Sequence, residues 1–357
     1  MSCWFSPNLS CLCCLSGCCS SFRCLDEPLL RCFAVTRPEA DKEDAVAAFS
    51  ASDGWRTCAA SEVARWSSLA YLMGMARVRD RHVPVGMVVC AQGASVLCSW
   101  LPEELTAPGT ALEVVGSEMH SDYTNPAYSR WNQRGFLYGF MFRKVIPFGF
   151  THAVWYQGES DRGDTARYAL KMHAYYNGMT EVFRDKSLKY YFAQIACWKH
   201  GQETWHEIRL QQAKFAAEEP NAEMVVTADV GNPDEIHPYD KKPVAKRLAA
   251  YALRNDYGFK DIVCDYPAPV SANASTDGTV ELVFAHAKSL QVYNLTGKGE
   301  VNLELAGEDG VFKPAEIVSE PEKKRPNQYP GSSLLVRAKG VPAPKSVRYL
   351  HSASAHG

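Results

Sequence analysis

The chain has 357 residues, 46% hydrophobic and 22% charged, with 38 basic and 40 acidic side chains and a formal net charge of −2. That length suits one large domain or two modest ones. The charge balance gives no strong pull toward nucleic acid or an anionic membrane surface, and no run of about 18 apolar residues marks a membrane-spanning helix.

Of the 13 cysteines, seven crowd the N-terminus: Cys3, Cys11, Cys13, Cys14, Cys18, Cys19 and Cys24. They lack the paired spacing and the neighbouring histidine that a zinc site uses, so no metal is assigned to them. Residues 1–27 also lack the basic start and unbroken apolar core of a signal peptide. They read as an atypical segment, disordered or artefactual. The six scattered cysteines, Cys32, Cys58, Cys90, Cys98, Cys197 and Cys264, read as small buried apolar residues.

From Pro28 the texture is globular. Leu29–Val35 predicts a buried strand and Arg37–Ser52 a loop. Ser61–Val78 carries Val63, Trp66, Leu69, Ala70 and Met73 at helical spacing, with Ser61 and Glu62 suiting a helix start. Val83–Ala91 is a continuous apolar run ending in Gln92-Gly93-Ala94-Ser95. A buried strand followed by such a turn is the usual setting for a site at the carboxyl end of a parallel sheet. Residues 102–132 read as loop and Gly135–Pro147 as helix. Thr151–Tyr156 predicts a strand ending in Gln157-Gly158-Glu159-Ser160-Asp161. Helix Asp164–Lys186, strand Lys189–Ile195, helix Trp205–Glu219, strand Ala222–Thr227 and helix Lys241–Tyr257, capped by Gly258, complete an alternating series. Such alternation gives an α/β domain with a mainly parallel sheet, spanning 28–258. Beyond 259 only short strand candidates remain (Val280–Phe284, Leu290–Tyr293, Val301–Leu305, Leu334–Val336 and Val347–Leu350), giving a small all-β C-terminal domain.

Three strand ends carry polar or glycine residues, and strand ends on one edge of a parallel sheet converge. The last reads Asp229-Val-Gly-Asn-Pro-Asp234-Glu-Ile-His237-Pro238. A carboxylate three residues before a histidine can hold that ring in one tautomer, which makes His237 a general base and Asp234 its partner. The Gly93 N–H and the Gln157 side chain are candidate donors to an oxyanion, each typically worth about 3–4 kcal/mol of barrier. Taken singly, Asp-x-x-His reads equally as a cap or surface pair, Gly93 as a turn, and Glu159 as a charge at a helix start.

Trp155-Tyr156-Gln157-Gly158-Glu159-Ser160-Asp161 resembles the WYQGES block of the sialate O-acetylesterase family, a branch of the SGNH hydrolases. Asp229–Leu248 looks like that family's block around its catalytic Asp and His. Gln92–Ser95 followed by Trp100 is similar to its GGT…W block, with Ala94 in place of the second glycine. The likeness covers roughly residues 28–351. It implies an SGNH-type three-layer α/β sandwich and hydrolysis of O-acetyl esters of sialic acid or a related sugar by Ser, His and Asp. It implies catalytic roles for His237 and Asp234, and oxyanion or substrate-binding roles for Gly93, Gln157, Gly158 and Glu159. The implied partner is an acetylated sugar or glycan, with no metal or other cofactor and a secreted or periplasmic location.

The family's nucleophile lies in a Gly-Gln-Ser-Asn-Met block just after the first strand, and nothing here matches it. Met1 stands at about the right distance before Leu30–Phe33 to be that methionine. The expectation is a chain that begins inside the motif, with its serine and first strand upstream. Ser2, Ser6 and Ser10 follow no strand and are not assigned. The alternative is a catalytically inactive sugar-binding relative, in which Trp100, Trp131 or Trp155 could stack on sugar rings, although each reads more readily as core packing.

Overall fold

A computed structural model describes residues 26–38, 54–113, 126–201, 204–292, 302–323, 325 and 327–351. The N-terminal cysteines, Ser2, Ser6 and Ser10 lie outside them. The chain divides into two compact units. One runs to Ile195 and adds Glu207–Val225 and His237–Ile262; the other comprises Ala196–His206, Val226–Ile236 and Val263–Gly357. The division thus differs from a single boundary near 258, because two strand-end loops fall with the C-terminal unit.

The first unit holds two three-stranded sheets. In one, β1 (Glu27–Ala34) pairs with β2 (Trp55–Cys58) antiparallel and with β3 (Val85–Val89) parallel, Leu30 opposite Val85 and Ala34 opposite Val89. In the other, β4 (His152–Tyr156), β5 (Lys189–Ala193) and β6 (Ala222–Val225) are all parallel. Strands β3 and β4 are each the last in their sheet. Strand β2 escapes sequence reading because it is four residues long and mostly exposed.

Helix α1 (Ser68–Arg81) packs on β1 and β3; α2 (Tyr168–Val182) sets Tyr175 against Trp155 of β4, with ring centroids 4.6 Å apart. Helix α3 (Thr204–Glu218) belongs to this unit from Glu207 onward, and its Phe215 packs edge-on to Tyr190 of β5. Helix α4 (Lys242–Tyr257) packs on β5, β6 and α1, and ends at Gly258 with φ 77°. The helix expected over 61–78 is broken: Ala60–Val63 forms one turn, and Ser67 restarts the helix by accepting the Ala70 N–H at 3.3 Å. The helix expected over 135–147 reduces to Phe136–Phe140 and a 3₁₀ turn at Phe142–Lys144. Five of the scattered cysteines, Cys32, Cys58, Cys90, Cys98 and Cys197, are buried thiols.

A polar chain ties the amino ends of β4 and β5 to two helices. Arg77 Nη2 of α1 lies 2.6 Å from His152 Nε2, His152 Nδ1 lies 2.8 Å from Asp256 Oδ2 of α4, and the Tyr191 hydroxyl donates to Asp256 Oδ1 at 2.9 Å. Burial pushes His152 below its ordinary pKa, favouring the neutral ring, whose Nε2 accepts from Arg77.

The second unit is built on an antiparallel sheet in the order β14-β10-β11-β13-β8-β7: β7 (Ala268–Ala274), β8 (Val280–Ala285), β10 (Leu303–Ala306), β11 (Lys313–Ile317), β13 (Ser333–Ala338) and β14 (Ser346–Tyr349). A ribbon of β9 (Ser289–Gln291) and β12 (Gln328–Pro330) accompanies it. Along β13 the period-two alternation buries Leu334, Val336 and Ala338. They join Leu282, Leu303 and Leu305 in this unit's core. Strands β7, β11 and β12 lack the apolar runs that betray the others. The α/β architecture with a mainly parallel sheet and a C-terminal antiparallel β region agrees with the sequence-based fold class.

Candidate active site

Strands β3 and β4 end side by side in function: the turn after each is bonded to the other. Gln157 Nε2 donates to the Ser95 carbonyl at 2.9 Å and to Asp161 Oδ2 at 2.6 Å. The Leu97 N–H donates to the same Asp161 oxygen at 2.9 Å. Two of the three predicted segments, 92–95 and 157–161, therefore meet within the first unit.

The loop after β3 is pinned from a third direction. Asn132 donates to the Ala94 carbonyl at 2.7 Å and accepts the Val96 N–H at 2.9 Å; Trp131 Nε1 donates to the same carbonyl at 3.2 Å. Ala94 sits at φ 51°, a left-handed conformation that favours glycine. The similar family block has a glycine there, so Ala94 holds this loop at some cost in backbone strain. Ser95 is buried and its hydroxyl is engaged, donating to the Gln92 carbonyl at 2.8 Å and accepting Trp100 Nε1 at 3.0 Å.

Gln157 is fully buried. The Tyr168 hydroxyl lies 2.9 Å from both its Oε1 and its carbonyl oxygen, and Gln212 Nε2 donates to that carbonyl at 3.0 Å. Both amide protons of Gln157 are spent on Ser95 and Asp161. The reading of its side chain as an oxyanion donor gives way to one in which Gln157 fastens the two turns together. Trp100, Trp131 and Trp155 are all buried core residues, which leaves the core-packing reading and not stacking on a sugar.

Asp161 is balanced from behind. Lys171 Nζ lies 3.4 Å from Asp161 Oδ1 and 2.7 Å from Asp164 Oδ2, and Arg167 adds a 2.8 Å contact to Asp164. Burial alone would lower the Lys171 pKa, but Asp161 and Asp164 hold it above its ordinary value.

Glu159 is buried beside them. Desolvation pushes its pKa up from 4.5 to about 7, against an opposing pull from its own and the Gly158 backbone N–H groups and from Lys241. Lys241 also sits over the Tyr156 ring at 5.3 Å. Since folding raises this pKa, the unfolded chain releases the proton first, and stability falls as pH rises from about 4.5 to about 7. The shift corresponds to about 3 kcal/mol. Glu159→Gln, neutral and isosteric, is expected to melt higher than the parent at pH 8 and alike at pH 4.5. Parallel melting curves across that range would refute the assignment.

The remaining pair is divided between the units: Asp234 lies in the second and His237 in the first. His237 is half-buried in the turn before α4. Asp234 is exposed, and its carboxylate accepts a hydrogen bond from Lys199 Nζ of its own unit, which holds its pKa below the ordinary range. The sequence reading gave this carboxylate to His237; here Lys199 holds it.

Sequence reasoning missed Asn132, Lys171, Tyr168 and Gln212. Asn132 stands in a stretch read as loop, and the other three on helices where they pass for ordinary interior or surface positions. Only Asp161, the last residue of a quoted motif, carried a signal.

Residues 35–253 match the family model described as carbohydrate esterase, sialic acid-specific acetylesterase. Over 223 residues the chain is 23% identical to the sialate O-acetylesterases of Homo sapiens and Pongo abelii, covering 57% of this chain. It spans 42% of the length of those relatives. It is also similar to the crystal structure of a carbohydrate acetylesterase from Xanthomonas citri, with a TM-score of 0.73 and 26% identity over 92% of this chain and 69% of that one. The family match takes in both converging turns and the segment from Asp229 to Leu248, and the chain belongs to the sialic acid-specific acetylesterase family of carbohydrate esterases.

Proposed function

We propose that the protein hydrolyses O-acetyl esters of sialic acid or a related acetylated sugar. The observation that carries this reading is the family match across the residues that form the two fastened turns. In the reaction, a serine hydroxyl attacks the acetyl carbonyl and His237 takes its proton. The tetrahedral oxyanion collapses, the sugar alcohol leaves with that proton, and water then releases acetate by the same route in reverse. Asp234, three residues before His237, is the carboxylate assigned to orient it. The Gly93 N–H, which makes no hydrogen bond among the described residues, is the donor assigned to the oxyanion. Glu159, whose pKa burial raises to about 7, is assigned to the substrate.

The Ser95 hydroxyl is engaged on both sides, so it is not the nucleophile of this reading. The lack of a match to the Gly-Gln-Ser-Asn-Met block in this sequence supports a second reading, a sugar-binding relative without turnover. Incubating the full chain with O-acetylated sialic acid and with acetylated xylose separates the two by acetate release. Turnover that falls about a hundredfold or more in His237→Ala supports the esterase with its general base. Glycan binding without acetate supports the second reading, and turnover unchanged in the variant removes His237 from the mechanism.

A further inference from the structure

Outside residues 35–253 matched by the family model, the last strand in the sheet of the second unit carries a modification signal. Asn273-Ala274-Ser275 is an Asn-x-Ser triplet without proline at its middle position, the acceptor pattern for an N-linked glycan. The pattern also stands at Asn8-Leu9-Ser10 and Asn294-Leu295-Thr296, both outside the described residues. Asn273, Ala274 and Ser275 are all exposed. The Asn273 amide nitrogen donates to Ser271 Oγ at 3.3 Å. That nitrogen has two protons, so a sugar replaces one while the other keeps the bond.

The place of the triplet in the sheet gives a glycan a task. Strand β7 ends the sheet, with β8 on one side and no strand on the other among the described residues. None of its seven residues is buried and none is charged. Its first half has two devices that protect an edge, Pro269 and a pairing irregularity between Pro269 and Ser271. Its second half, Ser271–Ala274, pairs regularly with Val283–Val280 and has neither. Asn273 stands in that bare half. Opposite residues share a face, and Asn273 is opposite Glu281, which is opposite Leu335. Val318 continues the row, its N–H donating to the Leu335 carbonyl at 2.8 Å. The core lies on the other face, with Val280, Leu282, Leu334 and Val336. Leu335 and Val318 are 42% and 40% exposed. Leu335 lies two strand spacings from Asn273, about 10 Å, within the span of a few sugar rings.

We propose that Asn273 is the acceptor for an N-linked glycan, which closes the bare half of β7 and covers Leu335. The donor is a polyprenyl-diphosphate-linked oligosaccharide, and a transferase of a secretory lumen reads the triplet. The Asn273 amide nitrogen attacks the anomeric carbon of the first sugar. The C–N bond forms, the anomeric C–O bond breaks, and the lipid diphosphate leaves with the proton that the amide gives up. A glycan is bulky and hydrated, so a second strand cannot lie along Ser271–Ala274 beside it.

The test makes the full chain behind a cleavable secretion leader in a eukaryotic cell and recovers it from cells and medium together. A glycosidase that converts a linked asparagine to aspartate, used in heavy-oxygen water, marks each occupied position for peptide mapping. The mark is expected at 273. It is expected to vanish in Asn273→Gln and in Ser275→Ala, which keeps the asparagine. No mark at 273 overturns the proposal, even where Asn8 or Asn294 is marked. Sedimentation then tests the covering role. Asn273→Gln is expected to self-associate about tenfold more tightly than the glycosylated parent, and Leu335→Ser in that variant to reverse part of the gain. A variant as monomeric as the parent overturns the covering role. Neither readout depends on acetate release, so the esterase reading and the glycan site fail separately.

Discussion

Replacing Lys171 by Met is expected to destabilise the first unit by about 3–5 kcal/mol. The side chain is 4% exposed and faces two buried carboxylates, Asp161 at 1% and Asp164 at 9%. Methionine keeps the volume and the apolar stem but leaves Asp161 and Asp164 without their shared cation. Arg167 still reaches Asp164, so the uncompensated charge falls mainly on Asp161. Denaturant melts at several pH values check this. The deficit should shrink in acid, as protonation neutralises the stranded carboxylates. A deficit that does not change with pH would point to lost packing instead. The effect should also spread to the candidate site, because Asp161 fastens both Gln157 and the Leu97 amide.

Gly158→Ala is expected to cost about 2–6 kcal/mol. The residue has φ 156° and ψ −26°, a region that side-chain-bearing residues rarely adopt and that typically costs about 1–3 kcal/mol. An added Cβ would also lie 2.8 Å from Ile195 Cγ2 and 2.9 Å from Ile208 Cγ2, both in the buried interior. Overpacking of this kind adds about 1–3 kcal/mol. Thermal unfolding of the variant measures the sum, and a melting temperature within a degree of the parent would show that the turn has another accessible conformation.

The parallel strands were legible because each is a short continuous apolar run bounded by polar or glycine residues, as in Val85–Val89 and His152–Tyr156. Strand β2 was not: its four residues are largely exposed and gain their conformation from pairing with β1. The break between Val63 and Ser68 was hidden because Trp66, buried in the turn, falls in the helical period although the backbone there is not helical. At the site, the sequence located the two turns, but the bonding inside them reassigns Gln157. Whether a carboxamide faces a ligand or its own protein depends on where Ser95 and Asp161 end up, and nothing local to residue 157 encodes that. The same holds for Asp234, whose three-residue spacing to His237 says nothing of Lys199, 35 residues earlier in the chain.

Strand β4 begins at His152 and ends at Tyr156, so the Arg77–His152–Asp256 chain and the Gln157 fastening lie about 17 Å apart at its two ends. It is anchored like a tie-rod, by an arginine–histidine–carboxylate chain at one end and by the bonds of Gln157 to the Ser95 carbonyl and the Asp161 carboxylate at the other. Anchors that far apart share no partners, so damage to each should add without coupling. They also answer to different conditions. Acid loosens the histidine end by forcing a proton onto a ring that burial keeps neutral, while the other end rests on the Asp161 carboxylate backed by Lys171. A strand held this way has two anchors that can fail one at a time, so damage at His152 should leave the turn at Gln157 in register.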